Sequence, residues 1–244
     1  MTNVVALQTA RAGSKSVVNK NIMKIGGKPL YRQSLDHAIS SKLISKSYVS
    51  TDIEEIIKNK DGIEYEVILR PEILAGDNAS HQDAMIHGIE EIERRSGVEV
   101  DIVVVLLGNT LGASSDVLDR AVQFLIENED FDSVLSVSEF NMFNPLRAYQ
   151  KSPKGLITFL SQEIIQSQVK IKNSNDKNSA GDVYFANGSF FICRSNVVKS
   201  KKGMLPFPWL GFKIKEWIQD PMMEIDAPWQ IDVLKSQVRK VDKI

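Results

Sequence analysis

Between residues 9 and 21 the chain reads Thr9-Ala10-Arg11-Ala12-Gly13-Ser14-Lys15 and then, after four residues, Lys20-Asn21. Three cations, Arg11, Lys15 and Lys20, stand among small residues that leave backbone N–H groups open. Loops of this kind hold polyphosphates, with donors from the backbone and charge from long side chains. The Walker spacing of two glycines followed by Lys-Ser/Thr is absent, so this is not a P-loop. The competing reading is a solvated basic loop.

A loop that grips an anion needs a strand before it and helices around it. Val4 to Leu7 reads as the first buried strand, which puts the anion at a strand C-terminus. Leu30, Ser34, Leu35, Ala38, Ile39 and Leu43 recur mostly at three- and four-residue spacing, predicting an amphipathic helix from Leu30 to Ile44. Tyr48 to Asp52 reads as a short strand with a polar tip, followed by a brief helix from Ile53. A strand from Tyr65 to Leu69 is broken by Arg70-Pro71, and a loop follows through Gly76-Asp77-Asn78. Asn78 or Ser80 then caps a helix that buries Ala84, Met85, Ile86, Ile89 and Ile92. Ile102 to Leu107 is a continuous apolar run of the kind found in central parallel strands. Ser114 or Ser115 caps the next helix, and Ser133 to Val137 is another strand. This alternation predicts an α/β fold with a mostly parallel sheet and ligands beyond the strand C-termini. From about 139 to 186 the pattern loosens, with Pro153-Lys154-Gly155 and a polar tract from Lys172 to Asn178. That stretch reads as an insertion, a hairpin or a subunit contact, within a single domain spanning 1–244. Asn187 to Cys193 returns to strand, Pro206 to Trp209 to loop, and Asp226-Ala227-Pro228 opens a last helix.

Composition narrows the partners. The 244 residues are 43% hydrophobic and 25% charged, enough for one full core. A net charge of −1 gives no global attraction to nucleic acid or to an anionic membrane, so a polyanion must be held locally. The single Cys193 excludes an internal disulfide and fits a reducing compartment. Its neighbours Phe190, Phe191 and Ile192 mark a packed thiol rather than a nucleophile. Neither a secretory leader nor an apolar run of ~18 residues is visible, so no spanning helix is expected and the cytoplasm is the expected location.

The ordered set of motifs resembles a known family. Arg11-Ala-Gly-Ser14-Lys15, Lys20-Asn21 and Gly26-Gly27-Lys28-Pro29-Leu30 are followed by Arg70-Pro71-Glu72-Ile73-Leu74-Ala75-Gly76-Asp77-Asn78-Ala79-Ser80. Asn144-Pro145-Leu146-Arg147, Asn187-Gly188-Ser189 and Glu224-Ile225-Asp226 complete it. Together they are similar to the acylneuraminate (CMP-sialic acid synthetase-like) cytidylyltransferases, including legionaminic acid, pseudaminic acid and Kdo relatives. The resemblance implies a Rossmann-like nucleotidyltransferase fold whose insertion serves dimerisation. It also implies transfer of CMP from CTP to the anomeric hydroxyl of a 2-keto sugar acid, with release of pyrophosphate, for cell-surface polysaccharide. The alternatives are another nucleotide or a sugar phosphate on the same fold, and a nucleotide-binding homologue without turnover.

Residue by residue, the resemblance makes Arg11, Lys15, Lys20 and Asp226 the catalytic set. Ala10, Gly13, Ser14 and Asn21 line the phosphates, and Arg70, Ala79 and Ser80 the base and ribose. Asn109, Thr110, Arg147 and Asn187 face the sugar acid, Arg147 reaching from the partner of a homodimer. Glu224 and Asp226 alternate along an extended segment, so both can face one side and offer hard oxygens to Mg²⁺. Asp226 is equally placed to cap the helix that follows, a role worth ~1 kcal/mol. Arg70 has its own bland alternative, a surface pair with Glu72 or Asp77. His81 reads as a helix-start or pocket-wall residue rather than a base. Departures fall on the sugar side: where many relatives carry Gln-Pro-Thr-Ser-Pro-Leu-Arg, this chain has Gly108-Asn109-Thr110-Leu111-Gly112-Ala113-Ser114. Tyr184-Phe185 likewise replaces a Tyr-Arg pair.

Overall fold

The first strand is buried along its whole length: Val4 to Ala10 are all enclosed, so it must lie inside a sheet covered on both faces. A computed structural model describes residues 2–58, 64–76, 78–168 and 181–241. Asp77 and the polar tract from Lys172 to Asn178 lie outside the described residues. Strand β1 (Val4–Ala10) is followed by a small hairpin, β2 (Lys24–Ile25) and β3 (Lys28–Pro29), then α1 (Leu30–Ile39). Next come β4 (Lys46–Thr51), α2 (Glu54–Lys58), β5 (Tyr65–Leu69), α3 (Glu72–Ala75), α4 (His81–Ser96), β6 (Ile102–Leu107) and α5 (Ser115–Glu127). The chain continues through β7 (Ser133–Glu139), β8 (Tyr149–Ser152), β9 (Gly155–Thr158) and α6 (Gln162–Gln168). It closes with β10 (Tyr184–Arg194), α7 (Ser195–Ser200), β11 (Ile214–Ile218) and α8 (Pro228–Val241).

Seven strands form one sheet in the order β11-β7-β10-β6-β1-β4-β5. The pairs β1–β4, β1–β6 and β4–β5 are parallel, whereas β10 runs antiparallel to β6. The chain leaves β1 on one side to build β4 and β5, then returns to its other side with β6. That reversal opens a crevice beyond the C-terminal ends of β1 and β6, where open α/β sheets bind ligands.

Helix α1 stops five residues before the predicted end. Beyond Ile39 the chain turns, and the Asp119 carboxylate gathers the N–H groups of Lys42 (3.1 Å) and Leu43 (3.2 Å). Leu43 therefore packs from a turn, not from the helix whose period it continues. Helices α4 and α5 begin where sequence places them, with Ser80 and Ser114 accepting from Asp83 N and Val117 N at 3.4 Å. The short α3 was read as loop; its four residues carry too little pattern to show a period.

The chain divides into two compact units. The larger comprises Met1–Ser136, Asn187–Trp217 and Met222–Ile244, the smaller Val137–Ala186 and Ile218–Pro221. In the larger, β6 and its neighbours pack Ile102, Val104, Leu106, Phe190 and Ile192 against Leu118, Val122 and Leu125 of α5. A separate cluster of Val17, Ile25, Leu30, Ile225 and Leu234 joins the first loop and the hairpin to α8. Within the smaller unit β8 and β9 form an antiparallel hairpin. There Asn141 donates to Asp182 Oδ1 (2.9 Å) and accepts from Val183 N (2.9 Å). Cys193 is fully buried and its thiol is pushed up by burial, in keeping with a packed rather than reactive sulfur.

Candidate active site

Chemistry starts where β1 ends. Ala10 is still buried, and Arg11 leaves the sheet with its Nη1 donating to the Ala75 carbonyl at 3.0 Å. Asn21 is buried and its Nδ2 donates to the Arg11 carbonyl oxygen at 2.9 Å, closing residues 11 to 21 into a loop. Gly13 sits at φ +68° with open space where a side chain would point, a conformation that other residues seldom adopt. Ser14 and Lys15 lie on the rim, Lys15 exposed. A cleft of 250 Å³ is lined by Arg11, Gly13, Ser14, Lys20, Asn21 and Asp52 among others. Asp52, just beyond β4, accepts the Ala12 N–H at 2.7 Å. One backbone donor of the loop is thereby held on a carboxylate oxygen, the atom type that a phosphate offers. The polar tip of β4 was visible in sequence, but nothing in its composition assigned it to this loop.

Arg70 is buried at the end of β5. Its Nε donates to Ser50 Oγ (3.2 Å) and its Nη2 to the Ser50 carbonyl (2.9 Å). Its guanidinium is thus committed to β4, not to a surface pair with Glu72. Burial lowers its pKa to about 10, with Asp52 opposing and Arg11 adding to the effect, so it stays charged at neutral pH. His81 opens α4 with its Nε2 3.0 Å from Thr9 Oγ1 and its ring edge-on to Trp209 at 5.9 Å. Desolvation, followed by the charge of Arg70, lowers this histidine to about 4, so it is neutral and forms wall rather than base. Ser80 spends its hydroxyl on the helix cap, while Ala79 N donates to Gly76 O at 3.1 Å in the turn before it.

The far end of the chain arrives through the Ile225 cluster. Ile225 is fully buried with Val17, Ile25 and Leu30, which brings its flanking carboxylates to the loop. Lys20 Nζ meets Asp226 Oδ1 at 2.6 Å. Lys20 is therefore no ordinary exposed lysine; its side chain is 16% exposed, against 60% for Asp226. The capping alternative for Asp226 also resolves. The Asp226 and Ala227 N–H groups are both taken by Gln230 Oε1 at 2.6 Å, leaving the Asp226 carboxylate to Lys20 and Asn109.

Glu224 lies beside it. Burial first, and then the Asp226 charge, push its carboxyl up, with Asn109 and Lys20 opposing. A buried carboxyl pushed up beside a second carboxylate, with a lysine already drawn in, forms a place that a cation relieves. The donor set is hard oxygen, which suits Mg²⁺. Among the described residues no three His, Cys, Asp or Glu side chains gather for a metal. A cation here would complete its shell with water and phosphate oxygens, the usual Mg²⁺ arrangement.

Of the residues expected at the sugar, Asn109 turns its amide toward Glu224, Ile225 and Asp226. Thr110 is buried with its hydroxyl donating to Gly188 O at 3.3 Å. Asn187 is buried too, its Oδ1 accepting from Ser136 Oγ (2.6 Å) and Ser189 N (3.0 Å). Gly108 does not open a vacant subsite: a Cβ there would lie 2.9 Å from Ala10 Cβ and 3.0 Å from Asn21 Oδ1. Asn21 fills that space. Arg147 is exposed in the smaller unit, on the 3₁₀ turn Pro145–Arg147.

Comparison with known proteins accords with this arrangement. Residues 5–205 match the family model described as Cytidylyltransferase. The chain is 31% identical over 146 residues to a Helicobacter pylori protein, "Pseudaminic acid cytidylyltransferase and UDP-2,4-diacetamido-2,4,6-trideoxy-beta-L-altropyranose hydrolase"; the match takes 59% of this chain and 28% of that one. An Escherichia coli N-acylneuraminate cytidylyltransferase is 34% identical over 36% of this chain and 21% of its own length. The chain thus spans under a third of either relative. A Campylobacter jejuni pseudaminic acid cytidylyltransferase is 24% identical over 82% of this chain and 84% of its own. Among solved structures, a CMP:2-keto-3-deoxy-manno-octonic acid synthetase complexed with CTP superposes with a TM-score of 0.67 at 14% identity, covering 98% of this chain and 99% of that one. At that identity the likeness is one of fold.

Proposed function

We infer that this chain, which belongs to the cytidylyltransferase family, transfers a cytidylyl group from CTP to the anomeric hydroxyl of a 2-keto sugar acid of the pseudaminic or sialic kind, releasing pyrophosphate. The observation that carries this reading is the 2.6 Å pair between Lys20 and Asp226. It joins a cationic loop to a carboxylate segment at the C-terminal ends of the strands, the two components that such a reaction needs.

In the reaction the anomeric oxygen bonds to the α-phosphorus as the bond from that phosphorus to the bridging β-phosphate oxygen breaks. The protein's part is to position the groups and to stabilise charge where it develops. Arg11 and Lys20, with Lys15 at the rim, neutralise the triphosphate and the departing pyrophosphate. Arginine suits two oxygens at once, lysine a single point of charge. Gly13 and Ser14 let the backbone approach, and the Ala12 N–H passes from Asp52 to a phosphate. Arg70, held by Ser50, faces the acceptors of the pyrimidine. Glu224 and Asp226 would hold Mg²⁺, which would supply charge neutralisation of the phosphates when bound. Thr110 and Asn187 shape the floor under the sugar acid.

The smaller unit serves a homodimer in this reading, with Arg147 reaching the partner's sugar acid. Its exposed Met142, Phe143, Tyr149, Leu156 and Phe159 support such a contact. We place the enzyme in the cytoplasm, where CTP is available. The test incubates the protein with each nucleoside triphosphate, Mg²⁺ and a panel of keto sugar acids, and measures pyrophosphate. Release with CTP and a keto acid is expected. Release only with another nucleotide moves the reading to a different nucleotidyltransferase. CTP binding without release under any acceptor makes the chain a nucleotide-binding protein, the alternative that the Gly108 loop favours.

A further inference from the structure

Asn109 lies one residue beyond the Gly108 turn that follows β6, and its bonds all run to a segment more than a hundred residues away. Its backbone oxygen accepts from Ile225 N at 3.0 Å. Its side-chain Nδ2 lies 3.3 Å from the Ile225 carbonyl, 3.4 Å from Glu224 Oε2 and 3.5 Å from Asp226 Oδ1. An amide nitrogen has two protons, so three acceptors share two donors, and each contact is longer than a tight bond. The amide sits between the carboxylates rather than on one of them. Glu224 is also approached by Gly188: a Cβ there would come within 2.7 Å of Glu224 Cγ and 3.1 Å of Oε1. Glu224 is therefore crowded by a glycine and an amide, while the backbone between the two carboxylates is fixed to the end of β6. Asn109 itself is buried, so this pin is not a surface accident.

We propose that Asn109 is a positioning residue that sets the separation and direction of the Glu224 and Asp226 carboxylates for a divalent cation. The inference rests on the reading of those two carboxylates as the cation's protein ligands. Asn109 offers hydrogens and not an oxygen toward the cation, so it acts through the carboxylates. When one of them turns to a cation, the shared amide follows the other without leaving either unpaired.

The test measures the coupling between Mn²⁺ and CTP: the ratio of the CTP dissociation constant without metal to that with saturating Mn²⁺, by calorimetry. General weakening of nucleotide binding cancels in this ratio. Glu224→Gln and Asp226→Asn are expected to abolish most of the coupling. Asn109→Ala is expected to reduce it by about 10-fold, as loss of an outer hydrogen-bond partner does at metal sites. In the Glu224→Gln/Asp226→Asn background no further loss is expected from Asn109→Ala, because Asn109 acts through those two carboxylates. Thermal melts establish that each variant is folded, and Asn109→Ser takes the place of the alanine variant if that one is not. Normal coupling in the Asn109 variant, with loss in both carboxylate variants, overturns the role of Asn109 and leaves the cation site standing. An equal loss from Asn109→Ala in the Glu224→Gln/Asp226→Asn background assigns Asn109 a general structural effect and also overturns it. Normal coupling in both carboxylate variants removes the cation site and this inference with it.

Discussion

The cleft beside β1 and the smaller unit depart from the usual partition of side chains in opposite senses. In the cleft and the larger unit around it Asn21, Arg70, Asn109, Thr110 and Asn187 are polar and buried; in the smaller unit Met142, Phe143, Tyr149, Leu156 and Phe159 are apolar and exposed. The buried polar groups are bonded within the fold: Asn21 to Arg11, Arg70 to Ser50, Thr110 to Gly188, Asn187 to Ser136. Burying such groups is costly unless they are paired, and the pairing fixes their direction. The smaller unit has its own bonded asparagine, Asn141, but on its surface it presents apolar area instead. The first arrangement suits a small charged molecule, met by where donors point; the second suits a surface, met by how much water it can displace.

Four experiments break or sharpen that contrast. The largest effect is expected from the cleft's charges. Asp226→Asn leaves the fold intact because the side chain is more than half exposed, yet kcat for cytidylyl transfer should fall about 10²- to 10³-fold. A kcat within twofold of wild type would detach the Lys20–Asp226 pair from the chemistry. Next is the apolar cluster that delivers the carboxylates. Ile225→Ala should cost roughly 2–5 kcal/mol in urea unfolding, and it should lower kcat in the refolded enzyme as well. Stability lost without any loss of turnover would show that the cluster supports the fold and not the site.

The third effect is a pH dependence. His81 is held at about 4 when folded, against an ordinary 6.5. Between those values the unfolded chain takes up the proton and the folded chain does not, so stability rises with pH. Its contribution is complete above about pH 6.5 and is lost as pH falls toward 4, on the order of 3 kcal/mol in all. His81→Gln should flatten that part of the stability profile; an unchanged slope would mean that the imidazole is not enclosed as described. Smallest in stability is the smaller unit. Phe143→Ser and Leu156→Ser should each change unfolding free energy by less than about 0.5 kcal/mol, while sedimentation reports a monomer. A dimer that survives both would move the subunit contact elsewhere.

Much of the fold is legible because burial on both faces leaves a plain record in the chain: Val4 to Leu7 and Ile102 to Leu107 could hardly be anything but inner strands. Ser80 and Ser114 are legible for a local reason, since a cap acts within three residues. What could not be read depends on distance. The end of α1 is set by Asp119, far along the chain, and overrides a period that continues to Leu43. Within the site, the cations of the loop could be picked out by type and spacing. That Asp52 would hold the Ala12 N–H, that Ser50 would hold Arg70, and that Asn109 would face carboxylates are products of tertiary packing. Residue type alone left Asp226 between two roles, and it took Gln230 to occupy one of them.

The pair that joins Lys20 to Asp226 spans 206 positions. A ribosome adding 5 to 20 residues per second therefore emits the cations roughly 10 to 40 seconds before their counter-charge. During that interval the nascent chain carries the loop, the hairpin and most of the sheet, but not the carboxylates or the helix that steadies them. A message cut short, or a ribosome that stalls before residue 224, releases a polypeptide with one half of the chemistry and no means of completing it.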